Sequence, residues 1–197
     1  MNLHYMQEIE AKYLGIDVSA VQEKLLQFGA QRMFERLYKR KVYDYADLRL
    51  NAVGAWVRVR DEGDRITLGF KQRQGMAANA GQNDAGMEEI EVVVDSFDRT
   101  CLLLERIGLA LKFYQENRRS RYVLDGITYD IDTWPGLAPY LEIEGPSWQA
   151  IDAGAVKLQL DPSTKKIFST HQIYLANGIE ELEYVHMGFD RMEKRVI

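Results

Sequence analysis

Residues 7–14 read Gln7-Glu8-Ile9-Glu10-Ala11-Lys12-Tyr13-Leu14. At the two-residue period of a strand, Ile9, Ala11 and Tyr13 share one face, and Glu8, Glu10 and Lys12 the other. The pattern returns along the chain. In Ala55–Asp61, Val57 and Val59 oppose Arg58 and Arg60; in Ile66–Arg73, Leu68 and Phe70 oppose Gly69, Lys71 and Arg73. In Glu88–Asp95, Ile90, Val92 and Val94 oppose Glu89 and Glu91. In Ile127–Thr133, Tyr129 and Ile131 oppose Asp130 and Asp132; in Tyr140–Glu144, Leu141 and Ile143 oppose Glu142 and Glu144. Met33–Tyr45, Lys112–Gln115 and Arg118–Leu124 complete the expected strands.

An antiparallel sheet with one wet face explains any single strand of this kind. Together, the strands segregate by sign. Those holding Glu10, Glu91, Asp130 and Glu142 are acidic; those holding Arg58 and Arg60, Lys71, Lys39 and Lys41, and Arg119 and Arg121 are basic. A sheet closed on itself would turn such a face into a charged lumen. Like charges gathered in a partly dehydrated space are costly unless a ligand neutralises them. A polyphosphate carrying a divalent metal satisfies both halves: Arg and Lys bind its oxygens, and carboxylates bind its metal.

Helices are few. Val18, Val21, Leu25 and Phe28 follow helical spacing behind a Ser19…Gln22 capping pattern. A second helix is expected from Ser96 to Gly108, with Phe97, Cys101, Leu104 and Ile107 on one face. A third runs from Ser147 to Leu158, with Trp148, Ile151, Ala155 and Leu158 inward. Helices and strands do not alternate one for one, so α+β is favoured over a doubly wound parallel sheet. Gln74–Gly86, rich in Gly, Asn and Ala, reads as a loop able to act as a flap.

With 197 residues and 46% hydrophobic content, a single domain spanning 1–197 is expected. The net charge of −5 disfavours a general nucleic-acid binder. No apolar run approaches the roughly 20 residues that cross a bilayer, and no secretory signal is visible, so a cytoplasmic protein without a membrane partner is expected. One cysteine, Cys101, precludes an internal disulfide. His4, His171 and His186 lack metal-ligand spacing, and no Gly-rich phosphate loop is present. Glu180-Glu181-Leu182-Glu183 reads as a solvated helical face, and Trp134, Trp148 and Tyr174 as packing.

Glu8-Ile9-Glu10-Ala11-Lys12 resembles the ExExK signature of CYTH proteins, the triphosphate tunnel metalloenzymes. Companions follow in family order. Trp56–Arg60 resembles the paired-arginine strand, Leu68–Lys71 the lysine strand, and Met87–Glu91 the acidic strand. Arg119 with Tyr122 resembles KxRxxY, and Asp132 with Tyr140–Glu144 the closing aspartate and ExE strand. Departures are Asn117 for the KxRxxY lysine, Lys41 for a second-strand aspartate, Met87 for an arginine, and Leu137-Ala138 for Leu-Gly.

The resemblance implies an α+β fold: a closed eight-stranded antiparallel β-tunnel with a charged lumen and helices packed outside. It implies a hydrolase of triphosphate-containing substrates (inorganic, thiamine or nucleoside triphosphate) requiring Mg2+ or Mn2+. An adenylate cyclase of class IV is the alternative, and a non-catalytic polyphosphate or nucleotide binder a further one. By position, Glu8, Glu10, Glu91, Asp132, Glu142 and Glu144 would be metal-side carboxylates. Lys12, Lys39, Lys41, Arg58, Arg60, Lys71, Arg119 and Arg121 would bind phosphate, and Lys12, Tyr43 and Glu10 would be catalytic. The expected partner is a small-molecule triphosphate, with monomer and homodimer both open.

Overall fold

The computed structural model describes residues 9–73 and 87–196. Glu8, His4 and Gln74–Gly86 lie outside the described residues. These form two compact units: residues 37–73, 87–116 and 179–196 make one, and residues 9–36 and 117–178 the other. The architecture is α+β, a large, mainly antiparallel sheet with five helices.

The unit of residues 9–36 and 117–178 contains β1 (Ile9–Leu14), β6 from Asn117 onward (Ala110–Leu124 in all), β7 (Ile127–Thr133) and β8 (Tyr140–Gly145). They pair in the order β1-β8-β7-β6, each ladder antiparallel. α1 (Val18–Gln27) and α4 (Trp148–Lys157) supply the other half of the core. Ala11, Tyr13, Tyr129, Ile131, Leu141 and Ile143 bury against Leu25, Ile151, Ala155 and Leu158. These are the apolar positions of the alternating pattern, so hydrophobic burial selects this side for the helices. The outer edge of β1 meets Lys166, with reciprocal backbone bonds to Lys12 of 2.8 Å each.

The other unit contains β2 from Leu37 (Gln31–Asp44 in all), β3 (Ala55–Asp61), β4 (Ile66–Arg73) and β5 (Met87–Val94), paired in that order. α3 (Phe97–Arg106) covers their apolar side, where Tyr43, Val59, Cys101 and Leu104 are buried. α2 (Arg49–Ala52) is a single turn whose Leu50 and Asn51 amides donate to the buried Asp44 carboxylate at 3.0 and 2.9 Å. β9 (Tyr184–Met187) runs parallel to β6 at Tyr114 and Gln115, and β10 (Met192–Lys194) pairs with β9. α5 (Thr170–Ala176), in the first unit, completes the helices.

Several expectations need correction. Among the described residues no ladder joins β5 to β1, so sheet closure into an eight-stranded barrel is not confirmed. α1 is capped by Asp17, which accepts from the Ala20 amide at 3.0 Å, rather than by a Ser19…Gln22 box. Ser96 and Ser147 do cap α3 and α4. Ile107 is 65% exposed because α3 has ended, and Gly108 turns the chain at φ 101°. Lys112–Gln115 and Arg118–Leu124 are one strand. Glu181 is buried and accepts from Gln115 Nε2, so the acidic run is a short turn with one inward carboxylate and not a solvated helix. Ile90 and Val92, expected on the packed face, are 54% and 51% exposed at the outer strand of this unit.

The packing of α4 on β7 has little slack. A Cβ added at Gly154 would lie 2.5 Å from the Tyr129 hydroxyl oxygen, and that hydroxyl has no hydrogen-bond partner among the described residues. Gly154→Ala is therefore expected to cost about 1–3 kcal/mol through overpacking, despite better helix propensity. In a Gly154→Ala/Tyr129→Phe protein most of that loss should return, as read by urea denaturation. Equal stability of the two variants would place the strain elsewhere.

Candidate functional site

Directly opposed residues in an antiparallel ladder point to the same face. In the first unit, Lys12 stands opposite Glu142, Glu142 opposite Asp130, and Asp130 opposite Arg121. Glu10 faces Glu144, Asp132 faces Tyr140, and Arg119 faces Asp132. This is the face turned away from α1 and α4, yet it is not wet. Lys12, Asp130, Asp132 and Glu142 are all under a tenth exposed, and Asn117 is fully buried. A sheet with one solvated face is thus excluded for this unit.

Buried charges must be paired, and here the pairing is dense. Lys12 Nζ lies 2.6 Å from Glu10 Oε1 and 2.9 Å from Glu142 Oε2. Arg119 grips Asp132 with Nε at 2.9 Å and Nη2 at 2.5 Å, and reaches Glu142 Oε1 at 3.1 Å. Its Nη1 lies 2.7 Å from Asp130, which also accepts from Arg121 Nε at 2.8 Å. Asn117 donates to Asp132 at 3.1 Å. Burial opposes the charge on Glu142, but Lys12 and Arg119 outweigh it and pull the carboxyl down to about 2. Burial and then the Glu142 charge push Glu10 above the usual carboxylate range. Burial likewise raises Asp132, with Arg119 opposing.

In the other unit a second ionic face lies on the side of the sheet away from α3. Val42 stands opposite Arg58, Arg58 opposite Gly69, and Gly69 opposite Glu91; Lys71 stands opposite Glu89, and Arg40 opposite Arg60. Glu91 Oε2 lies 3.2 Å from Arg58 and 3.5 Å from Arg60. Glu89 lies 3.4 Å from Arg58 and 2.7 Å from Lys71. Glu62, 4% exposed at the β3–β4 turn, pairs with Arg60 and with Arg65. Gly69 leaves room here: a Cβ would sit 3.7 Å from a Glu91 carboxylate oxygen.

This second face also carries orphaned groups. Arg58 Nε, Arg60 Nε and Thr67 Oγ1 are buried without a hydrogen-bond partner among the described residues. Thr67 stands opposite Arg60, so all three belong to one patch. Buried unsatisfied donors are rare and call for an explanation; two of these are on cations, which points to an anion.

The strand register separates the expected site residues. Arg58, Arg60, Lys71 and Glu91 share one face of their unit, and Glu10, Lys12, Arg119, Arg121, Asp132, Glu142 and Glu144 share one face of theirs. Lys39, Lys41 and Tyr43 do not join Arg58 and Arg60, because their register places them with Asp61, Val59 and Val57 on the α3 side. Lys41 Nζ sits 5.9 Å over the Phe97 ring, and the fully buried Tyr43 donates its hydroxyl to Glu105 at 3.1 Å. The same strand instead presents Tyr38, whose ring lies 5.7 Å from the Arg60 guanidinium, and Arg40. Sequence reading placed Glu89 on the charged face without naming it a site residue, and missed Glu62, Thr67 and Arg40. Parity in Met33–Tyr45 could have found only Arg40, and only once the ladder to β3 was known.

Among the described residues no group of three or more His, Cys, Asp or Glu is arranged to hold a metal. Glu10 and Glu142 nevertheless converge on one cation, the Lys12 ammonium. Two hard carboxylate oxygens around a cation suit Mg2+ or Mn2+, which take one or two carboxylates and complete their shell with substrate oxygens and water.

Burial, and after it the Arg58 charge, hold Lys71 below its ordinary value, with Glu89 opposing. A bound anion would restore that proton, so its affinity should fall as pH rises through the depressed value. Lys71→Arg, which stays charged, should bind tripolyphosphate with a flatter alkaline limb. Calorimetry between pH 7 and 10 checks this; identical pH profiles would remove Lys71 from the anion site.

The sequence matches the family model "CYTH domain" over residues 6–171. No curated protein matches it. Solved structures share the fold at low identity. A protein of Vibrio parahaemolyticus described as a candidate adenylate cyclase is 16% identical at TM-score 0.71, covering 86% of this chain and 98% of its own. The PH1012 protein of Pyrococcus horikoshii is 17% identical at TM-score 0.67, covering 84% and 98%. A Hippeastrum protein described as a candidate adenylyl cyclase with dominant triphosphatase activity is 17% identical at TM-score 0.61, covering 90% and 99%.

Proposed function

Because the chain belongs to the CYTH domain family, we propose that it is a divalent-metal-dependent hydrolase of triphosphate-containing substrates, its sheet closing around them as an eight-stranded tunnel. The observation that carries this is the patch of Arg58, Arg60, Lys71 and Thr67, where the buried Arg58 Nε and Arg60 Nε lack hydrogen-bond partners among the described residues on a face crowded with charge. A neutral ligand would accept from those donors without offsetting the cationic charge, and a single carboxylate would meet only one or two of them.

Phosphoryl transfer asks mainly for positioning and charge neutralisation. Arg58, Arg60 and Lys71 would bind non-bridging phosphate oxygens. Arg119, oriented by its two-point grip on Asp132, would do the same from a fixed direction. Glu10 and Glu142 would hold the divalent ion, with Glu144 beside them across the ladder. That ion, when bound, supplies Lewis-acid polarisation of a phosphoryl oxygen. Lys12 is the catalytic candidate: released from Glu10 and Glu142, its ammonium would neutralise charge on the leaving phosphate. Arg121 is a rim contact, held by Asp130 and stacked 5.6 Å from the Phe34 ring. Tyr43 has no part in this proposal, since its hydroxyl faces Glu105 under α3.

Purified protein with Mg2+ or Mn2+ should release orthophosphate from at least one of tripolyphosphate, thiamine triphosphate and ATP, and EDTA should abolish the release. Cyclic AMP with pyrophosphate as the products from ATP would replace the hydrolase by a cyclase. Tight binding without turnover of any of the three would leave a binding module.

A further inference from the structure

On the Arg58 face, cations and carboxylates alternate: Arg60, Glu91, Arg58, Glu89, Lys71. Glu91 Oε2 lies between the two guanidiniums, 3.2 Å from Arg58 and 3.5 Å from Arg60. Glu89 spans Arg58 and Lys71, at 3.4 and 2.7 Å. The two carboxylates stand two residues apart on one strand, opposite Gly69 and Lys71. Both are only partly buried, with side chains 25% and 28% exposed, whereas the Arg58 side chain is 9% exposed. The anionic arms therefore reach in from the more open side toward cations fixed deeper in the sheet.

We propose that Glu89 and Glu91 are specificity-determining residues that act as internal competitors, each occupying a position a substrate phosphoryl group would take. This rests on the triphosphate reading above and deepens it. An incoming anion must displace both carboxylates to satisfy Arg58, because Arg58 is shared between them. A lone orthophosphate can replace one and leaves the other in place. A chain of linked phosphates replaces both in one binding event, so the second displacement costs no further loss of ligand freedom. The pair thus selects linear polyphosphates over single phosphates by penalising partial occupancy, in the manner of negative selection against the wrong ligand. Metal binding by Glu91, expected from the sequence, is replaced by this role: two guanidiniums already share its one bridging oxygen.

The geometry makes opposite predictions for a competitor and for a metal ligand. Tripolyphosphate, pyrophosphate and orthophosphate are titrated calorimetrically into wild type, Glu89→Gln and Glu91→Gln, in EDTA. Gln keeps the shape but removes the charge, and charged hydrogen bonds are strong enough that each single variant should bind tripolyphosphate about tenfold more tightly. Orthophosphate should gain by a larger factor, so the preference for the longer chain narrows. Single substitutions leave one carboxylate among the three cations, and the melting temperature in phosphate-free buffer reports whether the fold is retained. Should a variant not fold, Glu89→Asp, with a shorter arm that keeps the charge, is expected to show the same tightening in weaker form. Wild type that binds while the variants bind no more tightly, or less, overturns the competition and leaves the triphosphate reading intact. Absence of tripolyphosphate binding to every protein, wild type included, both in EDTA and with Mn2+, overturns both.

Discussion

Lys12→Met is expected to be the most damaging single substitution on the acidic face. It leaves Glu10 and Glu142, diagonal neighbours across the β1–β8 ladder, with no ammonium between them. Breaking a buried ion pair by removing one partner typically costs about 3–5 kcal/mol. Arg119 still touches Glu142, so part of its charge stays compensated. Among the described residues Glu10 has no such second ion pair, and it already sits above the normal carboxylate range through burial and the Glu142 charge. Its folded pKa is raised, so protonation favours the fold, and the variant should regain stability as pH falls from 7 toward 5. Wild type should gain less over that range, because Lys12 opposes the rise of Glu10, and below the ordinary carboxylate range it loses the contribution of Glu142, which is depressed to about 2. The variant also offers two carboxylates to a divalent ion with no competing ammonium. Mn2+ should therefore raise its melting temperature by more than it raises that of wild type. A melting curve of Lys12→Met equal to wild type, with or without Mn2+, would show that the ammonium does not hold this face together.

Arg58→Ala should have the largest effect on binding and a small one on stability. Burial, and next the Arg60 charge, depress the Arg58 guanidinium to about 10, so the fold disfavours its charge in the absence of an anion. Removing it relieves that repulsion and leaves Glu89 on Lys71 and Glu91 on Arg60. The same substitution removes a guanidinium whose Nε has no hydrogen-bond partner among the described residues. Two charge-assisted hydrogen bonds lost to a phosphate amount to about 3 kcal/mol, or roughly a hundredfold in affinity. Tripolyphosphate calorimetry beside chemical denaturation separates the two effects. A large stability loss with unchanged affinity would make Arg58 a structural residue.

Much of this was visible in the residues before any coordinates. Ala55–Asp61, Ile66–Arg73 and Ile127–Thr133 coincide with β3, β4 and β7, because alternation on a half-apolar sheet is a strong local signal. Ser96 and Ser147 mark α3 and α4 for the same reason of local chemistry. What failed was non-local. Lys39, Lys41 and Tyr43 sit in a strand where both faces carry charge, so only the ladder to β3 reveals which side meets Arg58. Burial of Asp130, Asp132 and Glu142 is set by the tertiary fold, which local sequence does not encode. α5 and β9 are short, with 7 and 4 residues, and their patterns are too brief to separate from turns. Glu62 lies outside the alternating strands, and its role comes from Arg60 and Arg65 on either side of it.

The decisive measurement is tripolyphosphate binding with and without Mn2+, compared between wild type and Glu142→Gln. Charge at Glu142 is what joins Lys12, Arg119 and the proposed ion, so the two proteins should differ in metal response rather than in bare anion affinity. Wild type should bind at least about tenfold more tightly when Mn2+ is added, and Glu142→Gln should show little or no gain. Equal affinity with and without Mn2+ in wild type, or an undiminished Mn2+ effect in Glu142→Gln, would contradict a metal-assisted triphosphate site.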